Sequence, residues 1–263
     1  MPIRTENDLS RILSVRIAAA ETEPPEIVPH INPLSFNGFD RGAMFQVASS
    51  AWQDIFLPKT IVSLVTSNAN PDTKRARIKS VRKIGQGLRT GYKLFDKRHA
   101  VPQQFDNLLI ELGTYNDMFH RTPTPNTQPL LSSIAEFSSG QMVFDFQPTS
   151  DESYQRTIAK RINNISEATK EDNLPAPTFH TMRRNIRHIM ELFLLACVVT
   201  PSNDHFQMYS HLNELNHTLG QMQEDLVIND MRGIQPYESS IVILTDTTRR
   251  NITNTLAVMG FGS

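Results

Sequence analysis

The sequence predicts an all-α protein. Apolar residues recur at steps of three and four through most of the chain, and breaks rich in Pro, Asn and Ser separate those stretches. The strongest signal is Thr73 to Arg98, which holds ten basic residues against one acid, Asp96, in a chain of formal net charge −1. Read as a helix, its Val81, Ile84, Leu88, Tyr92 and Phe95 form an apolar stripe. Lys79, Arg82, Gln86, Arg89 and Lys93 form a second, mainly cationic row about 100° round the axis.

Residues 5 to 20 predict a short helix, with Leu9, Ile12, Leu13 and Ile17 on one face and Arg11 and Arg16 off it. Pro24, Pro25, Pro29 and Pro33 forbid its continuation, so residues 1–35 read as an N-terminal arm or linker. From Asp40 the residues Met44, Val47, Ala48, Ala51, Ile55, Ile61, Leu64 and Val65 resume helical spacing, with a kink or break at Pro58. Ser67 to Asp72 is turn chemistry. It leads into the basic helix, residues 73–96, about 36 Å long at roughly 1.5 Å per residue. Phe105, Leu108, Leu109, Leu112 and Met118 predict the next helix, and Arg121 to Pro129 a surface loop. Signals over 130–147 are weak, and Met142 to Phe146 fits a short strand or a buried irregular piece.

Asp151 to Lys170 predicts a helix on Tyr154, Ile158, Ile162 and Ile165, with Ser150 or Asp151 at its start. Thr178 is placed to cap a further helix from Phe179 to about Val199. Another, Asn203 to Val227, carries Phe206, Leu212, Leu215, Leu219 and Met222. Glu238 to Met259 pulls both ways: Ile241 to Leu244 favours strand, whereas Leu256, Val258 and Met259 favour helix.

Composition narrows the function. Apolar residues at 39% and charged residues at 20% describe an ordinary globular chain rather than a disordered one. A pI near 6.7 argues against a nucleic-acid partner, so any anion site must be local. Leu192 to Val199, the longest apolar run, falls far short of the roughly 20 residues a bilayer span needs. The N-terminus lacks a signal-type apolar core, and Glu6, Asp8, Glu21 and Glu23 argue against a transit peptide, so a cytoplasmic location with no membrane partner is expected. The single cysteine, Cys197, lies in an apolar run and reads as core. No metal-type Cys/His spacing and no nucleophile set is present, which predicts a non-enzymatic protein without metal or cofactor. Gly85, Gly87 and Gly91 do not follow a strand, unlike a phosphate-binding loop, and are read as letting a neighbouring backbone or a phosphate chain approach closely.

The basic helix has an echo. Val81-Arg82-Lys83 opens one unit and Met182-Arg183-Arg184 opens another. Each precedes a helix with Leu-Gly and an acid four residues past the glycine: Leu112-Gly113 with Asp117, and Leu219-Gly220 with Glu224. The arginines are 101 residues apart (183 minus 82) and the glycines 107 (220 minus 113), as two diverged copies of one unit would be. In the second copy His180, Arg183, Arg187 and Glu191 share a face with Arg184 and His188 beside it, opposite Met182, Ile186, Ile189 and Phe193.

This pairing resembles the CHAD family, the conserved-histidine α-helical domain, in which each half carries a His-x-x-Arg helix and a later Leu-Gly-x-x-x-Asp helix. The likeness rests on His180-Thr-Met-Arg183 and Arg187, on Arg82, Arg89, Lys93 and Phe95, and on the two Leu-Gly motifs, and it covers about residues 40–230. Lys79 stands where the first-half histidine is usual, Gln86 and Gly87 replace a basic pair, and Met190 replaces a cation. The resemblance implies two antiparallel helical bundles related by a pseudo-twofold axis, made of half-repeats at about 36–150 and 151–263. It also implies a basic groove between the two long helices that binds inorganic polyphosphate.

The chemistry agrees with that expectation. Cations three and four residues apart on a helix stand roughly 5–6 Å from one another, a spacing that suits a chain of repeating phosphates. The candidate ligands are Lys79, Arg82, Lys83, Arg89 and Lys93 with His180, Arg183, Arg184, Arg187 and His188. Asp117 and Glu224 are placed to orient them. His180 reads equally as a protonated phosphate donor or as a helix-start histidine, and Gly113 and Gly220 as sites of close helix contact. The outlying Lys74, Arg75, Lys97 and Arg98 read as solubilising charge. The alternative is a helical scaffold that has lost polyphosphate and docks an acidic protein, to which the missing cations at 86, 87 and 190 point.

Overall fold

The protein is all-α. The structure, a computed structural model, describes residues 7–21, 36–119, 125–139 and 145–260, and among these residues it has ten α-helices and one two-stranded ribbon. Packing divides the chain into two compact units, Met1–Ile12 with Arg41–Thr149, and Leu13–Asp40 with Ser150–Ser263. No helix among the described residues is long and apolar enough to cross a membrane.

In the first unit α2 (Arg41–Ile55) and α3 (Pro58–Thr66) are separate helices. The break falls where expected: Leu57 is extended before Pro58, which occupies the first turn of α3 without needing a backbone N–H. The basic stretch is α4 (Pro71–Leu94), capped by the Asn70 side chain accepting from the Asp72 N–H. It packs on α2 and on α5 (Gln103–Met118), and α5 packs on α6 (Gln128–Ser139). The apolar stripe of α4 is buried as its spacing requires, with Val81, Leu88, Tyr92 and Phe95 against a core that includes Trp52 and Phe105. The weak signals over 130–147 had not announced α6, a short helix that opens on Gln128-Pro129. Met142 to Phe144 lies outside the described residues, and Phe146 stacks on Phe45 with ring centres 4.2 Å apart.

The second unit pairs α7 (Asp151–Lys170) with α8 (Ala176–Val199), α8 with α9 (Asn203–Met231), and α7 with α10 (Asp246–Val258). The ambiguous C-terminal stretch contains both elements. Ile241–Val242 is a strand, β2, antiparallel to Leu174–Pro175, β1, and α10 follows behind a Thr245 cap. Arg249 of α10 closes the end of α7 by donating to the Thr169 and Glu171 carbonyls. Contrary to the sequence reading, Thr178 does not cap α8. The helix starts earlier, at Ala176, because Pro177 is tolerated in a first turn whose N–H groups have no intrahelical acceptor.

The N-terminal helix α1 (Asp8–Glu21) forms where predicted but buries a different face. Ile12 and Ala19 are buried, whereas Leu13 and Ile17 are 39% and 56% exposed. Arg16, expected off the packed face, lies between the two buried positions and donates Nη2 to both carboxylate oxygens of Glu191 on α8, at 3.1 and 3.0 Å. The prolines of the expected arm lie outside the described residues. Past them, Phe36 and Phe39 pack on Phe193 and so tie this segment to α8.

Other expectations need revision. Arg98 is not solubilising charge: its Nε and Nη2 donate to Asp96, which is fully buried and also accepts from the Arg98 and Gln147 backbone N–H groups. Lys74 is likewise engaged, donating to the Val65 and Ser67 carbonyls at the end of α3. Gly85 and Gly91 admit side chains rather than a backbone or a phosphate. A methyl group at 85 would lie 2.4 Å from Leu109 Cδ2 and 2.7 Å from Trp52, and one at 91 would lie 3.0 Å from Phe45.

Candidate anion-binding surface

On α4 the cations stand in graded exposure. Lys79 and Lys83 are exposed, while Arg82, Arg89 and Lys93 are half-buried. Gln86, placed in the same row by spacing, is buried. Arg82 lays its guanidinium on Gly113 of α5, where an added Cβ would stand 2.8 Å from Nη2 and 2.9 Å from Cζ and Nε. The glycine leaves the space in which the Arg82 guanidinium lies, so what approaches Gly113 most closely is a side chain rather than a helix backbone. The Arg82 Nε is buried with no hydrogen-bond partner among the described residues. Burial and, more weakly, Arg89 lower the Arg82 pKa from its ordinary value, against the opposing charge of Asp117. Asp117 is itself exposed and takes a hydrogen bond from Asn116 Nδ2 at 3.0 Å.

Seven residues along α4, Arg89 meets the residue seven positions back along α5, as antiparallel helices require: its Nε lies 2.7 Å from Asp106 Oδ1. This cation is committed to an acid that spacing alone had not singled out.

The second unit repeats the arginine seat. Arg183 of α8 covers Gly220 of α9, with Nη2 2.9 Å from where a Cβ would be. The same helix pair brings Gln223 beside His180, and the Gln223 Nε2 donates to the Tyr237 hydroxyl at 2.8 Å. Burial, then Arg187 and Arg184, and last Arg183, push the His180 pKa below its ordinary value, with Gln223 acting in the other direction. His180, Arg183 and Arg187 are half-buried, and Arg184 and Glu224 are exposed. Glu191 is not on the open part of the row, being buried and bonded to Arg16.

The repeat offsets explain one departure from the expected pattern. They carry Arg89 to Met190 (89 plus 101) and Asp106 to Asn213 (106 plus 107), so the second copy lacks both members of the ion pair. The cation missing at 190 is a missing partner for an acid that is also missing.

His188 is buried and bonded to a residue the sequence reading missed. Arg161 of α7 donates Nη1 to His188 Nδ1 at 2.8 Å and to Asn185 Oδ1 at 3.0 Å. Arginine only donates, so Nδ1 carries the lone pair and the neutral ring holds its proton on Nε2. One signal could have found Arg161: it falls three residues after Ile158 and four before Ile165, a charged residue at the edge of an apolar stripe.

Each unit thus presents a row of cations, one of them laid on a glycine with its Nε buried. Such a row can hold an anion with several phosphate groups through charge-assisted hydrogen bonds. Among the described residues no group of three or more metal-ligating side chains converges. No family model, curated protein or solved structure matches the chain.

Proposed function

We propose that this protein binds inorganic polyphosphate or a similar phosphate-rich polyanion, without catalysis, along the cationic rows of α4 and α8. The observation that carries the reading is the doubled arginine seat, Arg82 on Gly113 and Arg183 on Gly220. A guanidinium that has given up much of its hydration on a fixed surface is preorganised for an anion, because the cost of ordering it is met on folding rather than on binding. The resemblance to the CHAD family supports the same reading, as does the concentration of cations in a chain whose net charge is −1. A buried, free Cys197 suits a reducing cytoplasm.

Titration with long-chain polyphosphate at several salt concentrations tests the proposal. Binding should weaken steeply with salt through counterion release. Changing Arg82→Glu and Arg183→Glu together should lower affinity at least tenfold and flatten the salt slope. Unchanged affinity and slope would refute it. Polyphosphate co-purifying with the protein would separate this reading from docking of an acidic protein.

A further inference from the structure

We infer that Arg161 and Arg184 together hold one phosphoryl group of the bound polyanion at the α7–α8 contact, a subsite that rests on the polyanion reading above. Arg161 is an arginine packed into a helix contact with no carboxylate partner among the described residues. Its two described acceptors, Asn185 Oδ1 and His188 Nδ1, are both neutral and both engage Nη1. Its Nε is buried with no hydrogen-bond partner among the described residues.

The charge that acts on it is another cation, Arg184. Arg184 precedes Asn185 and lies one turn before His188, so it leaves α8 beside the Arg161 guanidinium. Burial and the Arg184 charge push the Arg161 pKa down to about 10. Arg184 is exposed, and neither a hydrogen bond nor an ion pair joins it to any described residue.

A strut between α7 and α8 would not need this arrangement. A glutamine could serve both neutral acceptors without a buried charge, and a second arginine alongside opposes the first by Coulomb repulsion. An anion removes both penalties: it neutralises the pair and accepts from Arg161 Nη2, the donor that Asn185 and His188 leave unused and that is not buried. The planar fork of one arginine and the mobile, solvated head of the other suit a tetrahedral oxyanion with several acceptor oxygens. His180 stands one turn before Arg184 on the same ridge of α8, which places the subsite at one end of a row that can continue along a phosphate chain.

The test uses the full chain and tripolyphosphate. Calorimetric titration is run on wild type, Arg184→Gln and Arg161→Lys, with Arg156→Gln as a control on α7, since Arg156 is exposed and pairs with Glu152. Arg184→Gln removes only an exposed side chain and should lower affinity at least fivefold with an unchanged melting temperature. Arg161→Lys keeps the charge but loses the fork and should do the same, while the control stays at wild-type affinity. In parallel, the Arg161 Nε–H resonance, assigned by its loss in Arg161→Lys, should shift and saturate with the wild-type isotherm. Wild-type binding with an unmoved Arg161 resonance and an undiminished Arg184→Gln affinity overturns this inference alone. Absence of binding to wild type overturns it together with the polyanion reading.

Discussion

Replacing Arg16 by methionine should destabilise the protein far more than a surface substitution on an N-terminal helix would. The Arg16 and Glu191 side chains are 9% and 1% exposed, and both carboxylate oxygens accept from Nη2 at 3.0 to 3.1 Å. No other described residue donates a hydrogen bond to the Glu191 carboxylate. Removing the cation while keeping the volume leaves a buried carboxylate with no counter-charge, a change that costs about 3–5 kcal/mol. At roughly 2–4 °C per kcal/mol for a chain of this size, the melting temperature should fall by about 6–20 °C. The Arg16→Met/Glu191→Met double variant should recover most of that loss, because two well-packed apolar side chains are about as stable as a buried ion pair. Urea and thermal unfolding of the wild type, both single variants and the double variant, followed by circular dichroism, close the cycle. An Arg16→Met loss under 1 kcal/mol, or a double variant no better than the worse single one, would show that α1 is not held to α8 by this pair.

Three further outcomes follow from the same contacts. Gly113→Ala and Gly220→Ala each gain up to about 1 kcal/mol of helix propensity but place a methyl group within 3 Å of an arginine guanidinium. Each should leave melting within a few degrees of wild type yet reduce polyphosphate affinity several-fold by calorimetry. Burial alone would raise the Asp96 pKa, but the Arg98 side chain and the Gln147 and Arg98 N–H groups outweigh it and hold the group below the ordinary carboxylate range. Its stabilising contribution is therefore complete above the unfolded value and is lost as pH falls through the lower folded value. Asp96→Asn should cost about 1–3 kcal/mol at pH 7 and reduce the acid-induced loss of stability, as read by urea unfolding from pH 7 to pH 3. His180 is pushed the other way for a base, so in the free protein it stays neutral to lower pH than an ordinary histidine. An anion beside it favours the protonated ring, so polyphosphate affinity should rise as pH falls from 7 to 5.5, and His180→Gln should remove that part of the rise.

The helices were legible because their signal is local. Val81, Ile84, Leu88, Tyr92 and Phe95 recur at helical spacing, and the side of α4 they mark is the side that is buried. Ser150 accepts from the Ser153 N–H as a cap, one of the two residues its position before an apolar-periodic run offers for that role. The cationic rows were equally legible, since the step from Lys79 to Arg82 or from His180 to Arg183 needs nothing beyond helix geometry. Legibility ended where a side chain's partner lies on another helix. Arg16 and Arg161 are each one charge among several in an amphipathic helix, and spacing cannot tell a charge at the edge of a stripe from one inside it. Thr178 misled for the converse reason, because a good capping residue counts for little once Pro177 and the pairing of Leu174 with Val242 have set where α8 begins.

The chain by itself therefore determined an all-α protein, the place of its two longest basic helices, and the recurrence of arginine, Leu-Gly and acid at offsets of 101 and 107 residues. These are written in backbone propensity, in a 3.6-residue period and in self-similarity, none of which needs a second element in space. Only the tertiary structure decided what each charge does. It set Arg82 and Arg183 on glycines, committed Arg89 to Asp106, buried Arg16 on Glu191 and Asp96 under Arg98, and lodged Arg161 between Asn185 and His188. Charge interactions depend on distance and on how much water remains around the pair, and both are properties of packed helices rather than of spacing along one of them.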